Sequence, residues 1–206
     1  MFQKFDDKGD SVIDWDEFAK IWPHWLKPIV RPRTALLIID VQNDFITGSL
    51  SLVRCPAGHR GEEVVPVINA MLTDVPFDLV VYSYDWHPSD HVSFYDNYKN
   101  RKIIKRNGVD VQDDADLDTL QMFETVTFEG PPRVEQKLWP RHCVQNSWGA
   151  RLHDDLIDKA GREWINVFKG TKSDIDSYSA FWDNGKLSET PLNDELRKRF
   201  VRFINC

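Results

Sequence analysis

The stretch Thr34–Asp40, TALLIID, is a continuous apolar run that ends in an acid. A strand of that composition has no face for water, so it belongs in a parallel sheet covered on both sides. The residues at its carboxyl end then face the crevice where such sheets bind ligands. Two further runs repeat the pattern. Phe77–Asp85 (FDLVVYSYD) ends in an acid followed by Trp86 and His87, and Glu163–Gly170 (EWINVFKG) carries Lys169 near its end. Helix-like segments, Glu62–Asp74 and Asn146–Ala160, lie between and after them. Alternating strands and helices predict an α/β fold with a mostly parallel sheet. The polar, charged stretch Tyr95–Glu135 reads as a surface insertion, and no internal repeat is visible.

Composition narrows the function classes. Hydrophobic residues make up 41% of the 206 and charged residues 29%, which supports a packed core. The net charge of −7 argues against a general nucleic-acid binder. No apolar run is long enough for a membrane-spanning helix. The first ten residues, MFQKFDDKGD, lack the apolar core of a secretory signal, and three cysteines form no disulfide framework. A cytoplasmic location, with a nuclear one also open, is expected.

Residues 1–33 read as a separate segment. Asp6–Glu17 fits a twelve-residue EF-hand loop, with Asp6, Asp10, the carbonyl of Val12, Asp14 and a bidentate Glu17 as oxygen ligands for calcium. Lys8 at position three and Ser11 at position six depart from that pattern. The exiting helix is expected from Phe18 to about Trp22, where Pro23 stops it, and His24–Arg33 is expected to be a stiff linker. The main domain would then span 34–206.

Three strand ends place Asp40, the Asp85/His87 pair and Lys169 at one crevice. Asp85 and His87 stand two residues apart, so both can point the same way off a strand end. His142 is a plausible third metal ligand; His91 competes, but is expected to support the ligands from behind or to be exposed. Two imidazoles and a carboxylate suit zinc, with manganese or iron as alternatives.

Four ordered blocks carry a resemblance: ALLIIDVQNDFI (Ala35–Ile46), YDWHPSDHVSF (Tyr84–Phe94), LWPRHCVQNSWGA (Leu138–Ala150) and FKGTKSDIDSYSAF (Phe168–Phe181). Over residues 34–196 the chain resembles the nicotinamidases of the isochorismatase-like cysteine hydrolase superfamily. The hand-like segment in front resembles the animal members, insect ones particularly. The resemblance implies a three-layer parallel-sheet fold, hydrolysis of nicotinamide to nicotinate and ammonia in NAD salvage, and a divalent metal. It also implies roles: Asp40 and Lys169 catalytic, Asp85, His87 and His142 metal ligands, and Phe45 and Trp139 a sandwich for the pyridine ring.

The family nucleophile is a cysteine in a block like GxAxDxCV, and no such block occurs in these 206 residues. The resemblance therefore implies a chain whose C-terminal strands are missing, and an inactive polypeptide. Such a chain would be aggregation-prone unless FVRFI supplies a strand. The alternative is a non-catalytic metal- or nicotinamide-binding, or calcium-modulated, remnant. Oligomeric state stays open.

Overall fold

The computed structural model describes residues 5–157, 161–199 and 201–205. In chain order the helices are α1 (Trp15–Ile21), α2 (Lys27–Val30), α3 (Asn43–Ile46), α4 (Val64–Asp74) and α5 (Leu192–Lys198). The strands are β1 (Arg33–Ile38), β2 (Leu79–Asp85), β3 (Ile103–Arg106), β4 (Val109–Asp110), β5 (Thr125–Phe128), β6 (Val134–Lys137), β7 (Trp164–Lys169) and β8 (Val201–Asn205).

The three apolar runs become adjacent parallel strands. The main sheet has the order β7-β2-β1-β8, and every pairing in it is parallel. Because side chains alternate along a strand, β1 and β2 feed two cores. Leu36, Ile38, Val80 and Tyr82 pack with Val65 and Leu72 of α4 on one face. Ala35, Leu37, Leu79, Val81 and Val167 pack with Leu192 and Leu196 of α5 on the other. The result is the expected α/β arrangement of helix, sheet and helix. Each fully buried large side chain contributes about 1.5–3 kcal/mol, so the two cores carry the stability of the domain. Register also prepares the site, since Asp85 and Lys169 are direct partners across β2 and β7.

Three expectations are corrected. Asn146–Ile157 is not helical but a chain of turns and bends, and Asp158–Ala160 lie outside the described residues. Its carbonyls are committed elsewhere: those of Trp148, Gly149, Ala150 and Arg151 accept from Asn43, Asp44, Gln42 and Asn43 respectively. A helix would need those same carbonyls for its own ladder.

The insertion is a folded unit as well as a surface. It forms a four-stranded antiparallel sheet, β4-β3-β5-β6, over a core of Val92, Ile103, Leu120, Val126, Phe128 and Leu138. Its strands are four residues or shorter, so the charges around them dominate any window of sequence. The Asn107–Gly108 pair between β3 and β4, with φ of 48° and 84°, is a hairpin signal that was present to be read.

Pro23 does not end the first helix, and His24–Val30 is helical rather than a stiff linker. α1 begins at Trp15, capped by Asp14, and passes into a π-helical stretch, Trp22–Leu26, before α2. The wider register closes with Lys27 N–H on the Trp22 carbonyl, which accommodates a proline that has no N–H to give.

Among the described residues no helix is long and apolar enough to cross a membrane. β8 lies beside β1 with Thr34 opposite Phe203, so Val201–Ile204 of FVRFI lie in a strand along β1. Deleting residues 201–206 should therefore expose the flank of β1 and reduce cooperativity in thermal unfolding, with loss of near-UV dichroism. An unchanged midpoint and spectrum would show that β8 does not cover that edge.

Candidate metal and catalytic site

Asp40 follows β1 in a left-handed conformation, with φ of 52°. Ser83 on β2 donates to its Oδ1 at 2.5 Å and accepts its N–H at 3.1 Å. The Lys169 ammonium, at the end of β7 and 3% exposed, lies 2.8 Å from Asp40 Oδ2 and in contact with Asp85 Oδ1. Burial raises the Asp40 carboxyl above its ordinary value against the pull of Lys169, with Asp85 adding to the rise. Burial would raise Asp85 too, but His87 and Lys169 hold it well below the usual carboxylate range. Burial opposes the charge on Lys169, and Asp85 and Asp40 overcome it. The two acids are thus separated in basicity, with Asp40 the better proton acceptor.

Asp85 is aimed by Gln42, which is fully buried. The Gln42 amide donates to the Asp85 carbonyl at 2.8 Å and accepts the Asp85 N–H at 2.9 Å. The second carboxylate oxygen then faces two imidazoles, with His87 Nε2 at 3.4 Å and His142 Nε2 at 3.9 Å. Each imidazole is oriented from behind: His87 Nδ1–H donates to the Gly170 carbonyl at 2.8 Å, and His142 Nδ1–H to Pro140 at 2.7 Å. Gly170 is required there, because a Cβ would come within 2.3 Å of the His87 ring and the backbone has φ of 60°. Burial and the neighbouring His87 lower the His142 pKa, whereas Asp85 outweighs burial to raise that of His87.

Asp44, the second acid of DVQNDF, performs a similar service. Its carboxylate accepts the N–H of Cys143 at 2.7 Å and of Ser49 at 3.0 Å, which pins the left-handed turn just after His142. A Cβ at Gly149 would overlap this carboxylate, so only glycine fits.

The donor set fits a transition metal. One atom each from Asp85, His87 and His142 lies within 4.8 Å of the others, and His87 Nε2 is buried with no hydrogen-bond partner. Buried polar atoms without partners are rare, and an ion would satisfy this one. A second group shares His87 and adds His91 and Asp176. The His91 ring stacks on His87 at 4.0 Å, its Nδ1 pairs with Ser93 Oγ at 2.7 Å and its Nε2 is likewise unpartnered. Burial, then the charge of His87, pushes the His91 pKa down to about 2.

The structure brings Asp40, Lys169, Asp85, His87 and His142 together as expected. Phe45 lies 5.7 Å from the His142 ring. Trp139 donates through Nε1 to the Tyr178 hydroxyl at 3.2 Å and takes the edge of Phe123. Sequence reading missed Ser83, Gln42, Asp44, Asp176 and Tyr178. Gln42 and Asp44 carried a signal in the DVQNDF block and Asp176 and Tyr178 in the Phe168–Phe181 block, whereas Ser83 carried none.

The two described cysteines differ in their surroundings. Cys143 is buried, 3.9 Å from the Gly149 carbonyl, and burial followed by the charges of Asp85, Asp44 and Asp40 pushes its thiol up. Cys55 is exposed in the loop after α3, and Cys206 lies outside the described residues. Far from the crevice in sequence, the five expected calcium ligands, Asp6 to Glu17, precede and begin α1.

No family model matches the chain. Curated proteins do. The nicotinamidase of Saccharomyces cerevisiae is 32% identical over 173 residues, 79% of this chain and 68% of that protein. The nicotinamidase of Escherichia coli is 36% identical over 168 residues, 81% of this chain and 65% of that protein. The chain thus spans about two thirds of the length of these relatives. An Acinetobacter nicotinamidase/pyrazinamidase structure superposes with a TM-score of 0.63 at 30% identity, covering 84% of this chain and 68% of that one. A zinc-bound pyrazinamidase of Pyrococcus horikoshii superposes with a TM-score of 0.52 at 25% identity over 84% and 68%. A zinc-bound neighbour and an Asp/His cluster of suitable chemistry agree on a divalent metal. By sequence, fold and coverage together, the chain belongs to the nicotinamidase family.

Proposed function

We propose that this crevice binds nicotinamide and that its two clusters are the ring-binding and proton-handling halves of an amide hydrolysis yielding nicotinate and ammonia. The observation that carries the reading is the shared Lys169. It joins Asp40, the stronger base, to Asp85, whose other oxygen faces His87 and His142. Asp85, His87 and His142 would hold the metal, which when bound supplies a Lewis acid for the pyridine nitrogen. Phe45 and Trp139 would hold the ring faces, so that binding energy at the ring orients the carboxamide.

In the family chemistry a cysteine thiolate attacks the amide carbonyl. Asp40 takes the thiol proton and returns it to the departing nitrogen. A thioester forms as the C–N bond breaks, and water then releases nicotinate. Lys169 keeps Asp40 ionised and in place. Neither described cysteine suits the nucleophilic role: Cys143 is held protonated in the interior and Cys55 sits in an exposed loop. Among the described residues the crevice is therefore a binding platform with no suited nucleophile.

Purified 1–206 should release no ammonia from nicotinamide above background, because loss of a nucleophile typically costs many orders of magnitude. Turnover abolished by Cys206→Ala would overturn this. Asp85→Ala, His87→Ala and His142→Ala should each remove most bound transition metal by elemental analysis, while His91→Ala retains it. Loss in His91→Ala with retention in His142→Ala would move the metal to the His87–His91–Asp176 group.

A further inference from the structure

We propose that the Lys8 ammonium takes the place of the divalent cation in the Asp6–Glu17 loop, so that this hand-like segment is closed by an internal ion pair and folds without calcium. The loop has the shape of a hand. Asp6 accepts the N–H of Asp10 at 3.1 Å and of Ser11 at 2.8 Å, and Asp10 accepts that of Val12 at 2.9 Å. Ser11 takes the left-handed turn usually given to glycine, with φ of 65°. Asp14 caps α1 by accepting the Glu17 N–H at 3.0 Å, and the buried Glu17 returns the bond to Asp14 N–H at 3.0 Å.

Those bonds form the framework of a hand, with or without an ion. What departs is position three. The Lys8 side chain reaches back onto the other oxygen of Asp14, and its backbone N–H takes the second oxygen of Glu17 at 3.1 Å. One residue thereby occupies two of the five expected ligands. A divalent ion entering the same ring of oxygens would meet the ammonium at contact range and would have to displace it from Asp14. A second pair, Lys20 with Asp7 at 2.8 Å, ties the loop to α1 without any ion. The donor set therefore does not fit calcium as it stands, and the misfit lies in one side chain.

The test is calorimetric titration of the intact 206-residue chain with calcium chloride. The wild-type chain should show no saturable binding up to about 1 mM, and its tryptophan emission should be the same in excess calcium and in chelator. Lys8→Asp, which restores a ligand and removes the cation, should bind calcium at least tenfold more tightly than that limit. The gain should vanish in Lys8→Asp/Glu17→Gln. Saturable wild-type binding that Glu17→Gln abolishes would overturn the proposal. So would a Lys8→Asp chain with unchanged circular dichroism and no gain in affinity.

Discussion

Lys169 ends a strand inside the protein, where an unpaired ammonium would cost several kcal/mol to keep dry. Asp40 and Asp85 stand on either side of it, and each comes from a different strand end. Removing Lys169 would leave two largely buried acids facing each other without a cation, so the shared pairing fixes how β1, β2 and β7 are placed relative to one another. The in-register partnership of Asp85 and Lys169 makes the contact a property of the sheet rather than of a flexible loop. Everything chemical about the crevice follows from this sharing. One acid is left the better base, and the other is held ionised with an oxygen turned to two imidazoles.

Around that centre the backbone is arranged by side chains that bond backbone groups rather than the acids and imidazoles themselves. Gln42 pairs with both sides of the Asp85 peptide, and Asp44 holds the turn after His142. Glycine is demanded where those contacts are closest, at Gly149 beside Asp44 and at Gly170 beside His87. Metal-binding histidines ordinarily have their far nitrogen fixed in this way, because a ring that can swing binds an ion poorly.

How much of this was legible varies with how local the cause is. TALLIID and FDLVVYSYD announced buried strands because their apolar character is continuous, and the residues at their ends were readable as a crevice. Asn146–Ile157 misled because its composition suits a helix, while its carbonyls are taken by the loop after β1, a contact more than a hundred residues away in sequence. Pro23 misled in the opposite sense, since a single π-helical stretch lets the chain pass it. The antiparallel unit escaped because four-residue strands between charged turns average out as surface. Ser83 offered no signal at all; it matters only because β2 lies beside β1.

On the proposed reading, the placement of Trp139 separates recognition from chemistry. It lies two residues past β6, so the tryptophan is mounted beside the antiparallel unit, whereas Asp40, Asp85 and Lys169 stand at the ends of parallel strands. The two sheets have distinct cores. Sequence change within the insertion can thus reshape the surface around Trp139, while Asp40, Asp85 and Lys169 stay on the parallel sheet. If Trp139 holds a ring as proposed, a scaffold divided in this way is free to change what it recognises while the three charged groups stay where the parallel sheet puts them.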